Sequence, residues 1–129
     1  MVIETSALIA ILKAEPEAKS LLVCLSQPGA KAISMATLLE AQIVVEGQLG
    51  EAGGHELDLL LSRGEIQPTP LDRLHLHWAL RGWRHYGKGR HRAGLNLGDC
   101  FSYGLAMALD VPLLFKGEDF SHTDVKVAL

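Results

Sequence analysis

Apolar residues along this chain fall into short runs broken by glycine and proline, and the runs follow two different periods. Val2-Ile3 reads as a very short buried strand, and Ala7 to Leu12 as a helix capped by Thr5 or Ser6. Pro16 suits the first turn of a second helix carrying Ala18, Leu21, Leu22 and Leu25, which Pro28-Gly29 stops. Ala32-Ile33 is a second candidate strand. Ala36 to Leu49 is the clearest amphipathic helix, with Leu39, Ile43 and Gly47 recurring near the helical period. Gly53-Gly54 is expected to break the chain before a helix at Leu57 to Leu61, and Ile66 to Pro68 suits a short strand. Leu71 to Tyr86 reads as helical, Gly87 to Asn96 as a glycine-rich basic loop, Asp99 to Leu109 as a helix and Val111 to Phe115 as the last strand. Strands alternating with helices predict an α/β fold, a short central parallel sheet flanked by helices on both faces.

Composition narrows the class. A chain of 129 residues with 48% apolar and 21% charged residues suits one globular domain over 1–129 and excludes a disordered segment. The net charge of −3 excludes a uniformly basic surface, so any nucleic-acid binding must come from a local basic patch. Cys24 and Cys100 sit in apolar helical patterns and suit reduced core thiols of a cytoplasmic protein. The first apolar run is interrupted by Glu4 and stops at Lys13, too short to span a bilayer, so neither secretion nor membrane insertion is expected. No internal repeat or linker marks a second domain.

Chemistry enters with four acids in unusual places. Glu4 directly follows a buried strand, where ligand sites of parallel sheets lie; it could instead bond the amides opening the next helix. Glu40 has Ala36, Thr37, Ile43 and Val44 as its helical neighbours, so it lies on or beside the core face. A buried carboxylate needs a cation or hydrogen bonds, and a buried salt bridge is the plainer alternative. Asp99 opens a helix and Asp119 follows the last strand, and each alone suits a cap or a turn. Four acids converging at one sheet edge would repel without a cation. Ligation by oxygen alone points to Mg²⁺ or Mn²⁺ rather than zinc, and His75, His77, His85 and His91 form no zinc spacing.

These residues resemble a known family. Met1-Val2-Ile3-Glu4-Thr5-Ser6-Ala7-Leu8 is similar to the first motif of PIN-domain VapC toxins, and Thr37-Leu38-Leu39-Glu40-Ala41 to the second. Gly87-Lys88-Gly89-Arg90-His91 through Leu95-Asn96-Leu97-Gly98-Asp99-Cys100-Phe101 resembles the third, and Leu113 to Phe120 the fourth. The resemblance covers essentially the whole chain, in order. It implies a PIN-like fold, a Mg²⁺- or Mn²⁺-dependent endoribonuclease, a homodimer and a cognate VapB-type antitoxin. Carried over by position, it implies an acidic centre of Glu4, Glu40, Asp99 and Asp119, with Ser6 and Asp124 in support. Lys88, Arg90, His91 and Arg92 would then hold phosphates of an RNA substrate, the alternative being a mobile solvated turn. Trp78 and Trp83 share a helix with Leu74, Leu76 and Leu80, which suits core or dimer packing more than base stacking. The leucine- and isoleucine-rich first two helices suit a groove for an antitoxin helix.

Two positions depart from the family pattern. Glu118 stands where Asn is common, and Glu4 stands where the family normally has aspartate. The extra methylene moves a carboxylate by roughly 1 Å, and Mg²⁺ demands near-ideal octahedral geometry. A second reading therefore has a catalytically impaired homologue acting through antitoxin binding and autoregulation. A phosphotransfer receiver or aspartate-nucleophile phosphatase fits worse, since Glu4-Thr5-Ser6 supplies no aspartate and no second acid two residues on.

Overall fold

Val2–Ile3 (β1), Lys31–Ser34 (β2), Ile66–Thr69 (β3) and Leu113–Leu114 (β4) form one sheet in the computed structural model, which describes all of residues 1–129. The spatial order is β3-β2-β1-β4 and every pairing is parallel. Helices α1 (Thr5–Leu12) and α2 (Ala18–Leu25) connect β1 to β2, α3 (Met35–Arg63) connects β2 to β3, and α4 (Arg73–Tyr86) and α5 (Leu97–Leu109) lead to β4. This is the expected α/β sandwich.

Successive strand residues point to opposite faces. Val2 and Leu113 join the cluster built with Leu95, Cys100, Tyr103 and Leu105, while Ile3 and Leu114 join Leu8, Leu21, Leu38 and Leu57 on the other side. Both faces are covered, which is why the central strand β1 and its neighbour β4 are apolar throughout rather than alternating. Cys24 and Cys100 are both free thiols; Cys100 lies in the core as expected, whereas Cys24 is only partly buried against it. No helix is long and apolar enough to cross a membrane.

Several element boundaries differ from expectation. Glu4, not Thr5 or Ser6, caps α1, accepting from the Ser6 amide at 2.7 Å. Pro16 lies in the turn ahead of α2 rather than in its first turn. α4 begins at Arg73 because Asp72 caps it, and α5 begins two residues before Asp99 because Asn96 caps it. The break expected at Gly53-Gly54 falls at Gly50, whose backbone has φ 67°. Only glycine enters that region cheaply. Gly53 is helical instead, and a Cβ there would stand 2.4 Å from the Leu49 Cβ, so its role is close packing across the kink.

The largest surprise lies on α3. Its core face is Thr37, Leu38, Ala41 and Val45, whereas Leu39 and Ile43 are 59% and 63% exposed. The helix carries two apolar stripes, and periodicity alone does not say which one meets the sheet.

Candidate active site

The chain leaves β1, β2 and β4 at one edge of the sheet, and α5, running back toward β4, begins at the same edge. Glu4 follows Ile3 directly, and its amide donates to the Leu114 carbonyl at 3.0 Å. Its carboxylate turns into the first turn of α1, accepting from the Ser6 amide and from the Ser6 hydroxyl. The Ser6 oxygen in turn accepts from the Lys116 amide at 2.9 Å, which ties the end of β1 to the segment leaving β4. Ser6 is thus a joint between two strand ends. The helix-capping alternative for Glu4 is realised alongside its place at the edge.

Glu40 reaches the same edge from α3. The Thr5 hydroxyl donates to its Oε1 at 2.7 Å, and a Cβ on Gly98 would stand 2.0 Å from its Oε2. The carboxylate therefore lies against the backbone that opens α5. Asp99 sits in that opening turn, held by a reciprocal cap: its amide donates to Asn96 Oδ1 at 2.9 Å, and the Asn96 amide donates to Asp99 Oδ2 at 3.0 Å. Behind them the buried Thr37 and Ser102 hydroxyls share a bond of 2.9 Å between α3 and α5. Asp119 is exposed and opens a short 3-10 helix, Asp119–His122.

Burial dominates the electrostatics. Glu4 is 4% exposed, and desolvation pushes its pKa up to about 7 against two Ser6 hydrogen bonds, with Asp99 and Glu40 adding repulsion. Asp99 is also raised, chiefly by desolvation, against the Asn96 amide, with the charges of Asp119 and Glu40 contributing. Asp99 and Glu40 are thus within reach of Glu4, and Asp119 within reach of Asp99. As placed, no three of them are gathered closely enough to grip one ion directly. Mg²⁺ asks for less, since it keeps several waters and takes only one or two protein carboxylates. An all-oxygen set in which Glu4 and Asp99 are raised by burial and by neighbouring carboxylates fits such a hydrated hard cation.

The remaining predicted residues lie elsewhere. Asp124 accepts from the Tyr103 hydroxyl at 2.8 Å and pairs with Arg81 at 3.0 Å, so it fastens the C-terminal segment to α4 and α5. Lys88, Arg90 and Arg92 are exposed on a closed loop in which Lys88 donates to the Leu95 carbonyl and Leu95 to Tyr86, both at 2.9 Å. His91 is half-buried, its ring edge-on to Tyr86 at 5.1 Å. Trp83 is 42% exposed beneath the Arg90 guanidinium and is not a core residue. Sequence reasoning overlooked Thr5, Asn96 and Gly98. Asn96 lies three residues before Asp99, the capping-box spacing, and was detectable; Thr5 and Gly98 act on a partner far along the chain and leave no local signal.

Comparison with known proteins bears on the fold and the sequence. The PIN domain family matches residues 1–126. Ribonuclease VapC30 of Mycobacterium tuberculosis (strain ATCC 25618 / H37Rv) is 50% identical over 125 residues, covering 97% of this chain and 95% of that protein. Ribonuclease VapC of Mycolicibacterium smegmatis is 51% identical over 125 residues, covering 97% of each. Among solved structures, M. tuberculosis VapC20, a sarcin-ricin loop cleaving toxin, superposes with a TM-score of 0.77 at 16% identity, covering 99% of this chain and 97% of that one. VapBC2 of Rickettsia felis, bound to a DNA fragment from its promoter, gives 0.75 at 20% identity, covering 98% and 94%. The fold is common to all of them, and by family match and sequence identity the chain belongs to the PIN-domain family, in the branch of the VapC ribonucleases.

Proposed function

We propose that this protein is a Mg²⁺- or Mn²⁺-dependent endoribonuclease acting in the cytoplasm as the toxin of a type II toxin–antitoxin pair. The observation that carries the reading is that Glu4, Glu40, Asp99 and Asp119, distant in sequence, come to one sheet edge, where Glu40 and Asp99 act on Glu4 and Glu40 and Asp119 act on Asp99. Identity of 50% with relatives named as ribonucleases supports an active enzyme over an impaired homologue.

In this reading Glu4, Glu40, Asp99 and Asp119 would hold the ion. A bound ion would acidify the attacking water and neutralise charge on the phosphoryl oxygens. Asp99 and Glu40 would orient the attacking water, each carboxylate fixed by its own donor, the Asn96 amide or the Thr5 hydroxyl. Ser6 holds the Glu4 carboxylate in place, and Asp124 supports the segment that presents Asp119. Lys88, Arg90, His91 and Arg92 hold the flanking phosphates of the RNA. Pairing with a second copy suits the exposed stripe of Leu39 and Ile43 on α3. A groove of about 650 Å³ between α1, α2 and the second half of α3, lined by Leu12, Leu22, Leu25, Leu59 and Leu60, suits an amphipathic helix of the cognate antitoxin.

The test is cleavage of RNA under titrated Mg²⁺ or Mn²⁺. Glu40→Gln and Asp99→Asn should each slow cleavage by about a hundredfold or more while leaving the fold intact. Cleavage that persists in excess chelator, or in both variants, overturns the reading.

A further inference from the structure

We propose that the outer end of α4 and the loop after it form a track for single-stranded RNA, in which Trp83 and Arg90 together make a stacking platform for one nucleobase beside the acidic edge. This rests on the ribonuclease reading and adds to it a base-contacting site at Trp83, outside the acids, with Arg90 of the phosphate-holding loop as the ring's stacking partner.

Charge is segregated along this chain. Residues 73–98 hold six of the twelve Lys and Arg, four of the six His and none of the fifteen Asp and Glu. The rest of the molecule carries every acid. A chain with a net charge of −3 thus presents one basic tract, where a polyanion is attracted and held. A second copy of this chain meeting the same tract across a two-fold axis would bring like charges together. The complementary occupant is nucleic acid rather than itself.

Within the tract, an aromatic ring is kept at the surface. The Arg90 guanidinium carbon lies 4.1 Å from the centroid of Trp83, whose side chain stays 42% exposed. Both groups are planar and delocalised, and bases stack on indole rings and on guanidinium planes alike. The pair is pre-organised. Gly87 leaves no room for a side chain, since a Cβ there would stand 2.7 Å from the Trp83 Cδ1. The loop that carries Arg90 is closed by His91 donating to the Gly87 carbonyl at 3.1 Å and Gly94 to His91 at 3.0 Å. Little ordering entropy is left for binding to remove.

The platform also adjoins the chemistry. A cavity of about 470 Å³ beside the ring is lined by Leu80, Trp83, Lys88, Asn96, Leu97 and Phe101. Asn96 exchanges hydrogen bonds with Asp99, so the cavity reaches the residue that holds one of the acids. A strand with one base on Trp83 is thereby brought beside Asp99.

The experiment measures binding by fluorescence anisotropy, in EDTA to suppress cleavage, using labelled single-stranded U12 and A12 oligonucleotides and an abasic oligonucleotide of the same length. Trp83→Ala should weaken U12 or A12 binding by about tenfold or more and leave abasic binding unchanged. Trp83→Phe should keep much of the wild-type binding, and Arg90→Lys, which keeps the charge but loses the planar group, should weaken U12 and A12 binding more than abasic binding. Equal losses on abasic and base-bearing RNA, or no loss at all, overturn the platform while leaving the ribonuclease reading intact. Dissociation of an oligomer by Trp83→Ala, seen by size-exclusion chromatography, overturns it in favour of a protein contact. Wild-type protein that neither binds nor cleaves any RNA overturns the ribonuclease reading itself.

Discussion

Ser6 is the only hydrogen-bond donor found for the Glu4 carboxylate, through both its amide and its hydroxyl, while two acids, Asp99 and Glu40, act on it from the site side. The balance leaves Glu4 near pKa 7 instead of its ordinary 4.5, with desolvation as the leading cause. An acid whose folded pKa is raised keeps its proton in the fold over a range where the unfolded chain has lost it. Its contribution to stability is therefore full below pH 4.5 and lost as pH rises toward 7. The loss is about 3 kcal/mol for a shift of this size. Asp99 shifts in the same direction and adds to it. In EDTA the melting temperature should fall between pH 5 and pH 8, and Glu4→Gln should flatten much of that fall. A divalent ion takes the place of the proton, so added Mn²⁺ should raise the melting temperature more at pH 8 than at pH 5. A flat wild-type profile in EDTA would show that Glu4 is not desolvated as described.

Between elements, the decisive contact is that of α3 with the start of α5. Gly98 has an ordinary helical place there, yet a Cβ would fall 2.0 Å from Glu40 Oε2. Gly98→Ala should leave the melting temperature unchanged or slightly raised, because alanine is the better helix former. Cleavage should fall by about a hundredfold, because a displacement of roughly 1 Å at a reacting centre costs that much. Unchanged cleavage would mean that Glu40 has another productive position. The same contact explains what could be read in advance. The acids were visible because a carboxylate beside apolar neighbours, or just past a buried strand, is anomalous in local sequence. Their holders were less visible, because Thr5 acts on α3 from α1 and Gly98 acts on α3 from α5. Gly82 and Gly104 follow the same logic. A Cβ on Gly82 would meet the Tyr103 ring at 2.5 Å, and one on Gly104 would meet the Ala79 amide at 2.8 Å. Within the sequence they are merely weak helix residues. In the fold they are where α4 and α5 approach closely, Gly82 against the Tyr103 ring and Gly104 against the α4 backbone.

For the molecule as a whole, three surfaces of different chemistry are kept apart: an acidic edge, a basic tract over 73–98 and an apolar groove under α1 and α2. Composition conceals this, since a small net charge averages a basic segment with an acidic remainder. Segregation predicts that antitoxin capture and RNA cleavage can be separated by mutation. Leu22 and Leu59, 45% and 41% exposed, line the groove without belonging to the buried core, so a charge at either leaves the fold standing. Docking an apolar helix face would then bury an unpaired carboxylate, which costs several kcal/mol and weakens binding by about a hundredfold or more. Leu22→Asp and Leu59→Asp should retain RNA cleavage and growth arrest on expression, and should no longer be rescued by co-expressing the cognate antitoxin. Rescue that persists in the double variant would place the antitoxin elsewhere. Loss of cleavage in either single variant would show that the groove and the acidic edge are mechanically one.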